Sequence, residues 1–197
     1  MNAETAGQDD ATARFLYEVG HLKRTPRTGW LYAGVAKAET ESVAEHSFRT
    51  AIIAYVLASL EGADPQRAAT LALFHDTQET RTTDISYVGK RYLNRPDHEV
   101  ITDHQSTGLP QQLRDGIRNL VADYEAQHSR EAVLARDADK LECAVQAKEY
   151  AAQGQGDTGD WVNSSLSALQ TDTAKRLAET LVTMNPQAWW RALLDQP

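Results

Sequence analysis

His75-Asp76 closes the apolar run Leu71-Ala72-Leu73-Phe74, and Glu79 follows within one helical turn. A neutral imidazole beside a carboxylate offers two donors to one divalent cation when a helix end lets both turn the same way. If the helix continues one more turn, Glu79 shares the side of His75 and Asp76. A carboxylate there can act as general base or carry a proton towards a leaving oxygen. Taken alone, such a dipeptide is more often a core-edge histidine beside a solvated acid.

Further residues of the right types lie elsewhere in the chain. His46 stands in Ala44-Glu45-His46-Ser47, and Asp139 between Asp137 and Leu141. Acids are poor choices inside a helix unless exposed or engaged. Singly, His46 reads as a surface or capping residue and Asp139 as part of a solvated face. Asp137 is also available, two positions away and so on a different helix face. Arg27, or Arg24 as competitor, is suited to holding a phosphate, and Trp30 offers a stacking face for a base. Against this stand a solvated charge for either arginine and core packing for Trp30.

The elements that must position these residues read as helices almost throughout. Phe15, Leu16, Val19 and Leu22 recur at helical spacing and predict a first helix over about 9–23. Pro26, Gly29 and Gly34 make 24–41 a loop. Ser42 and Glu45 form a capping box for a helix reaching about Leu60, expected to bury Ile52, Tyr55, Val56 and Leu60. Asp64-Pro65 starts the helix that ends at His75-Asp76. Residues 80–108 read as loop with short helical pieces. Two longer helices follow over about 110–127 and 130–152, the second capped by Ser129. Gly154, Gly156 and Gly159 then break the chain before two expected tail helices, near 161–182 and 186–194. The implied fold is all-α, a compact single-domain helical bundle. Residues 1–9 are expected to be a flexible N-terminus, 10–155 the core, and 156–197 a C-terminal helical extension packing on it.

Four ordered stretches resemble one family. They are Leu22-Lys23-Arg24 with Arg27-Thr28-Gly29-Trp30; Glu41 through Ser47; His75-Asp76-Thr77-Gln78-Glu79 with Thr83-Asp84-Ile85; and Asp137-Ala138-Asp139-Lys140-Leu141-Glu142. Together they resemble the HD phosphohydrolase superfamily, and within it the small proteins that include the 5′-deoxynucleotidases. The resemblance implies one metal held by His46, His75, Asp76 and Asp139, because the family's last ligand directly precedes Lys-Leu. It also implies catalytic roles for Glu79 and Asp84 and a substrate site at Arg27 or Arg24 and Trp30. The expected reaction is metal-dependent hydrolysis of a deoxynucleoside 5′-monophosphate to nucleoside and phosphate. The alternatives are a deoxynucleoside triphosphate triphosphohydrolase, another HD nucleotide phosphodiesterase, or a non-catalytic metal-containing binding module. Mixed His/carboxylate ligation suits Mn²⁺, Co²⁺, Fe²⁺, Ni²⁺ or Zn²⁺ better than Ca²⁺. Relatives of this kind suggest a homodimer.

Composition narrows the partners. The 197 residues carry a net charge of −8, which repels nucleic-acid backbones and anionic membranes, so the expected partner is a small nucleotide. No apolar run approaches the ~20 residues that span a bilayer. The N-terminus lacks a signal-peptide pattern. The lone Cys143 excludes an intramolecular disulfide and reads as core. These features predict a soluble, cytoplasmic protein. His98, His104 and His128 are expected at the surface, His21 at the negative end of the first helix, and Trp189-Trp190 in terminal packing or a dimer contact.

Overall fold

The computed structural model describes residues 3–94 and 96–194. Its elements are α1 (Ala3–Val19), α2 (Gly29–Tyr32), α3 (Val43–Glu61), α4 (Pro65–Phe74), α5 (Glu79–Thr82), α6 (His98–Gln105), α7 (Gln111–Ala126), α8 (Arg130–Ala152), α9 (Gly159–Ser167), α10 (Asp172–Thr183) and α11 (Ala188–Leu194), with 3-10 turns at Gly20–Arg24 and Gly89–Arg91. Among the described residues there is no strand, only an isolated bridge between Pro26 and Ser42. No described helix is long and apolar enough to cross a membrane.

The helix starts obey local chemistry. Ser42 accepts from the Glu45 backbone while Glu45 reaches back to the Ser42 N–H, closing the capping box. Asp64 caps α4 with Pro65 in its first turn, and Ser129 caps α8. Gly62 ends α3 in the left-handed conformation, at φ 64°.

Helices α3, α4 and α8 pack mutually, with α7 against α4 and α8, and α9 and α10 against α8. Their shared core is rich in small residues. Ala54 and Ala58 of α3 meet Ala68 and Ala72 of α4 and Ala135 and Ala138 of α8, with Leu57, Leu71, Leu134 and Leu141 between them. Small side chains let helix axes approach closely, which matters when short polar side chains must meet across them.

Several expectations are corrected. The first helix starts at Ala3 rather than near 9. It gives way to the 3-10 turn after Val19, and Leu16 stays 66% exposed. On α3, Ile52, Tyr55, Val56 and Leu60 face outward, at 54, 47, 41 and 61% exposure. The buried face is instead Val43, His46, Ser47, Thr50, Ala54, Leu57 and Ala58. That rotation turns the imidazole of His46 inward and presents the bulkier apolar residues to the outside. The tail helix expected over 161–182 is two helices, broken between Ser167 and Asp172. The break is stabilised by Asp137, whose buried carboxylate accepts from the backbone N–H groups of Gln170 and Thr171 and from the Thr171 hydroxyl. Leu169, Ala174 and Ala178 from this tail belong to the same core as α3, α4 and α8.

The tail also touches the loop after α2. The Asp157 N–H donates to the Ala33 carbonyl at 2.7 Å. Next to it, Gly156 has φ of +70°, and a Cβ on it would stand 2.4 Å from that same carbonyl oxygen. Only glycine fits there.

Candidate metal centre

His46 comes from the first turn of α3, His75 and Asp76 from the end of α4, and Asp139 from the middle of α8. The Nε2 atoms of His46 and His75 are buried and find no well-formed hydrogen bond. They lie 3.3 Å from Asp139 Oδ1 and 3.1 Å from Asp76 Oδ2 respectively, and His46 Nε2 is 3.8 Å from Asp76 Oδ2. Donor atoms of His46, His75 and Asp76 all fall within 4.8 Å of one another. Two buried imidazole nitrogens aimed at two carboxylates, with no partner of their own, fit a divalent cation. Asp137, the other acid considered for the last position, points away to the tail.

Both histidines are fixed from behind. His75 Nδ1 lies 2.6 Å from the Ala72 carbonyl, which can only accept, so Nδ1 carries the proton and Nε2 is left as the donor to a cation. His46 Nδ1 lies 2.5 Å from Glu142 Oε2, with the same consequence. Glu142 is fully buried and its other oxygen takes a hydrogen bond from Arg49 Nε at 2.9 Å. Arg49 in turn donates to Glu149 and Gln146. Burial and Arg27 push the His46 imidazolium down, but Glu142 and Asp139 outweigh them and hold it well above its ordinary range. Burial raises the Asp76 carboxyl, yet the two histidines and Arg27 leave it lowered.

Glu79 opens α5 on the wall of a cavity of about 670 Å³ that also reaches His75, Asp76 and Asp139. Its Oε2 is buried without a partner. Burial, then the neighbouring charges of Asp76 and Asp84, push its carboxyl up to about 10. Asp84 is tied to the α2 loop. Its Oδ2 accepts from the Thr28 N–H at 2.6 Å, and its carbonyl accepts from the Thr28 hydroxyl at 2.8 Å. Between Glu79 and Asp84 the chain turns at Thr83, whose φ of 59° is strained for a β-branched residue. That turn sets both acids on the same cavity.

The other expected site residues divide. Arg27 lies at the centre, 3.6 Å from Asp76, with its Nη2 donating to Cys143 Sγ at 3.1 Å. Arg24 is exposed on the 3-10 turn and does not line the cavity. Trp30 touches the cavity wall but is only 2% exposed. Its indole N–H donates to Glu41 at 2.8 Å and its ring packs edge-on against Tyr150, so it is committed to the interior. Burial and the charge of Glu142 push Glu41 up to about 7. Cys143 faces the cavity rather than the core, and burial pushes its thiol up to about 11. His98, expected at the surface, is half-buried on the cavity wall beside Glu125. His21, His104 and His128 are exposed.

Glu142, Arg49 and Glu41 were not foreseen. Glu142 carried a legible signal, since it lies three residues after Asp139 and therefore on its face of α8. Arg49 bears the same relation to His46 on α3.

The chain is 36% identical over 153 residues to the 5′-deoxynucleotidase HDDC2 of Mus musculus, covering 76% of this chain and 75% of that one. It is 32% identical over 149 residues to the 5′-deoxynucleotidase hdd1 of Schizosaccharomyces pombe, covering 73% and 74%. In structure it is similar to a conserved hypothetical protein from Pyrococcus furiosus, with a TM-score of 0.72 at 28% identity over 87% of this chain and 99% of that one. With the HD domain sequence model matching residues 19–181, from the end of α1 to α10, the chain belongs to the HD domain family.

Proposed function

We propose that the protein is a metal-dependent 5′-deoxynucleotidase that cleaves deoxynucleoside 5′-monophosphates to nucleoside and phosphate. The observation that carries this is the meeting of two imidazoles, each held from behind with its Nε2 unpartnered, and the carboxylates of Asp76 and Asp139, beside a cavity onto which His75, Asp76, Asp139 and Glu79 open. At about 670 Å³ the cavity falls within the ~300–1,000 Å³ usual for small-molecule sites. The similarity to the mouse and fission-yeast 5′-deoxynucleotidases supports the choice of substrate.

His46, His75, Asp76 and Asp139 would hold the cation, of which Mn²⁺, Co²⁺, Fe²⁺, Ni²⁺ or Zn²⁺ suits this donor set. Once bound, such an ion supplies Lewis acidity at a phosphoryl oxygen and acidifies water. Glu79 holds a proton at its carboxyl beside that point and can deliver it to the leaving 5′ oxygen. Arg27, half-buried on the cavity wall and always charged, faces the phosphate end. Asp84 positions the α2 loop through Thr28 and raises the proton affinity of Glu79.

The apolar stripe on α3 (Phe48, Ile52, Tyr55, Leu60) supports a homodimer. The unpaired thiol of Cys143 supports a reducing, cytoplasmic setting.

Phosphate release from mono- and triphosphates, with Mn²⁺ or Co²⁺ present, tests the function. Release from deoxynucleoside monophosphates is expected. Tripolyphosphate from a triphosphate, with silence on monophosphates, would replace the reading with a triphosphohydrolase.

A further inference from the structure

The cavity has a wall that no motif in the first two thirds of the chain supplies. Trp161, Ser164, Ser165 and Ala168 all line it. Their spacing is i, i+3, i+4 and i+7, so one continuous face of α9 looks into the cavity. This face comes from the tail.

Its chemistry is that of a nucleoside platform. Trp161 is partly exposed, unlike Trp30 behind it. The two rings lie 6.0 Å apart and tilted by 32°, so Trp30, boxed by Tyr150 and Glu41, acts as a backing plate. Among the described residues the Trp161 indole N–H has no hydrogen-bond partner and remains available to a ligand. One turn on, Ser164 lies on the same wall, its hydroxyl donating back to the Trp161 carbonyl at 3.2 Å. His75, Asp76 and Asp139 line the same cavity, as does the loop of Ile85, Ser86 and Tyr87. A molecule that combines a phosphate for the metal centre with a flat heterocycle for the α9 face matches this lining.

From this arrangement, resting on the nucleotidase reading above, we infer that the α9 face binds the base of the substrate, with Trp161 as its stacking surface. Residues 159–168 therefore set how strongly the enzyme prefers a nucleotide to a bare sugar phosphate. The metal centre and Glu79 act on the phosphate whichever of the two is bound.

The test compares a deoxynucleoside 5′-monophosphate with 2-deoxyribose 5-phosphate, which carries the same ester but no base. In the Mn²⁺-loaded protein, Trp161→Ala should raise KM for the nucleotide by about 10-fold, the scale of one lost base–aromatic stack. KM for the sugar phosphate and the bound Mn²⁺ should stay within about twofold of wild type. Trp161→Phe should restore most of the nucleotide KM, which also shows that the site folds. Equal losses on both substrates would make Trp161 a structural support and overturn the proposal, as would an unchanged nucleotide KM. Wild-type protein that holds Mn²⁺ but cleaves neither ester would instead overturn the nucleotidase reading, and this inference with it.

Discussion

Glu142 Oε2 lies 2.5 Å from the Nδ1 of His46, and both side chains are sealed from solvent. The contact crosses from α8 to α3, the two helices that bring Asp139 and His46 together. Carboxylate support of this kind fixes a ligating ring and raises its basicity, and losing it commonly weakens metal binding 10- to 100-fold. Glu142→Ala should therefore weaken Mn²⁺ binding by at least about 10-fold in calorimetric titration. Glu142→Gln, whose amide oxygen can still accept from Nδ1–H, should fall between. Unaltered Mn²⁺ affinity in Glu142→Ala would separate the pair from the metal centre.

Glu79 should matter to turnover and not to loading. Glu79→Gln keeps the shape and removes the transferable proton. A loss of about 10²- to 10⁴-fold in kcat is expected, with Mn²⁺ content unchanged by atomic absorption. Retained turnover would move the proton transfer to another group.

The two acids of Asp137-Ala138-Asp139 should fail in opposite ways. Asp137→Ala leaves the Gln170 and Thr171 N–H groups without their acceptor, at a cost of about 2–4 kcal/mol. The melting temperature should drop by roughly 5–12 °C. Asp139→Ala should abolish Mn²⁺ binding, so that its melting temperature no longer rises when Mn²⁺ is added. Thermal melts with and without Mn²⁺ check both.

Proton linkage gives a pH signature. In the metal-free protein, Glu79 is raised to about 10, Glu41 to about 7, and His46 well above its ordinary range. In each case the folded chain keeps a proton that the unfolded chain has released, so stability falls as pH rises through that interval. The lowered carboxyls of Asp76, Asp139 and Glu142 act only on the acid side, losing stability as pH falls through their folded values. The metal-free melting temperature should thus decline between about pH 6 and about pH 9. A cation held by His46 displaces the proton of that imidazole, so stabilisation by Mn²⁺ should grow with pH while the metal-free protein still keeps it. A flat difference between loaded and unloaded melts would contradict this account.

The apolar stripe on α3 should show itself in assembly. Ile52→Lys places a charge where the proposed dimer is dry. It should shift the protein from dimer to monomer in sedimentation velocity without loss of Mn²⁺ binding. A wild-type monomer would dismiss the dimer.

Much of the fold was legible where local chemistry decides it. Ser42 with Glu45, Asp64 with Pro65, and Ser129 each start a helix at the expected place. The four candidate metal ligands could be named together only because short motifs on three helices resemble one family; singly, none stood out. What the pattern concealed is rotation and commitment. Residue type suggests that Ile52 and Leu60 turn inward on α3, but the demand that His46 and Arg49 meet Glu142 turns the helix the other way. Trp30 looks available in a loop sequence, yet a partner eleven residues on, Glu41, holds its N–H in the interior. Arg24 and Arg27 are equivalent by type and spacing. Only the turn between them, where Arg27 pairs backbone with Glu41 and Val43 with Thr25, sends one to the cavity and leaves the other outside. The break at Ser167–Asp172 depends on Asp137, more than thirty positions away.

The joint at Gly156 works as a rivet. With a carbonyl oxygen 2.4 Å from where any β-carbon would stand, the alphabet at that position shrinks to one letter. The loop of Ala33 and the start of the tail are thereby fastened to each other just ahead of α9. Side chains on α9 can be exchanged one at a time without disturbing that fastening, whereas re-aiming the helix would first require the glycine joint to open.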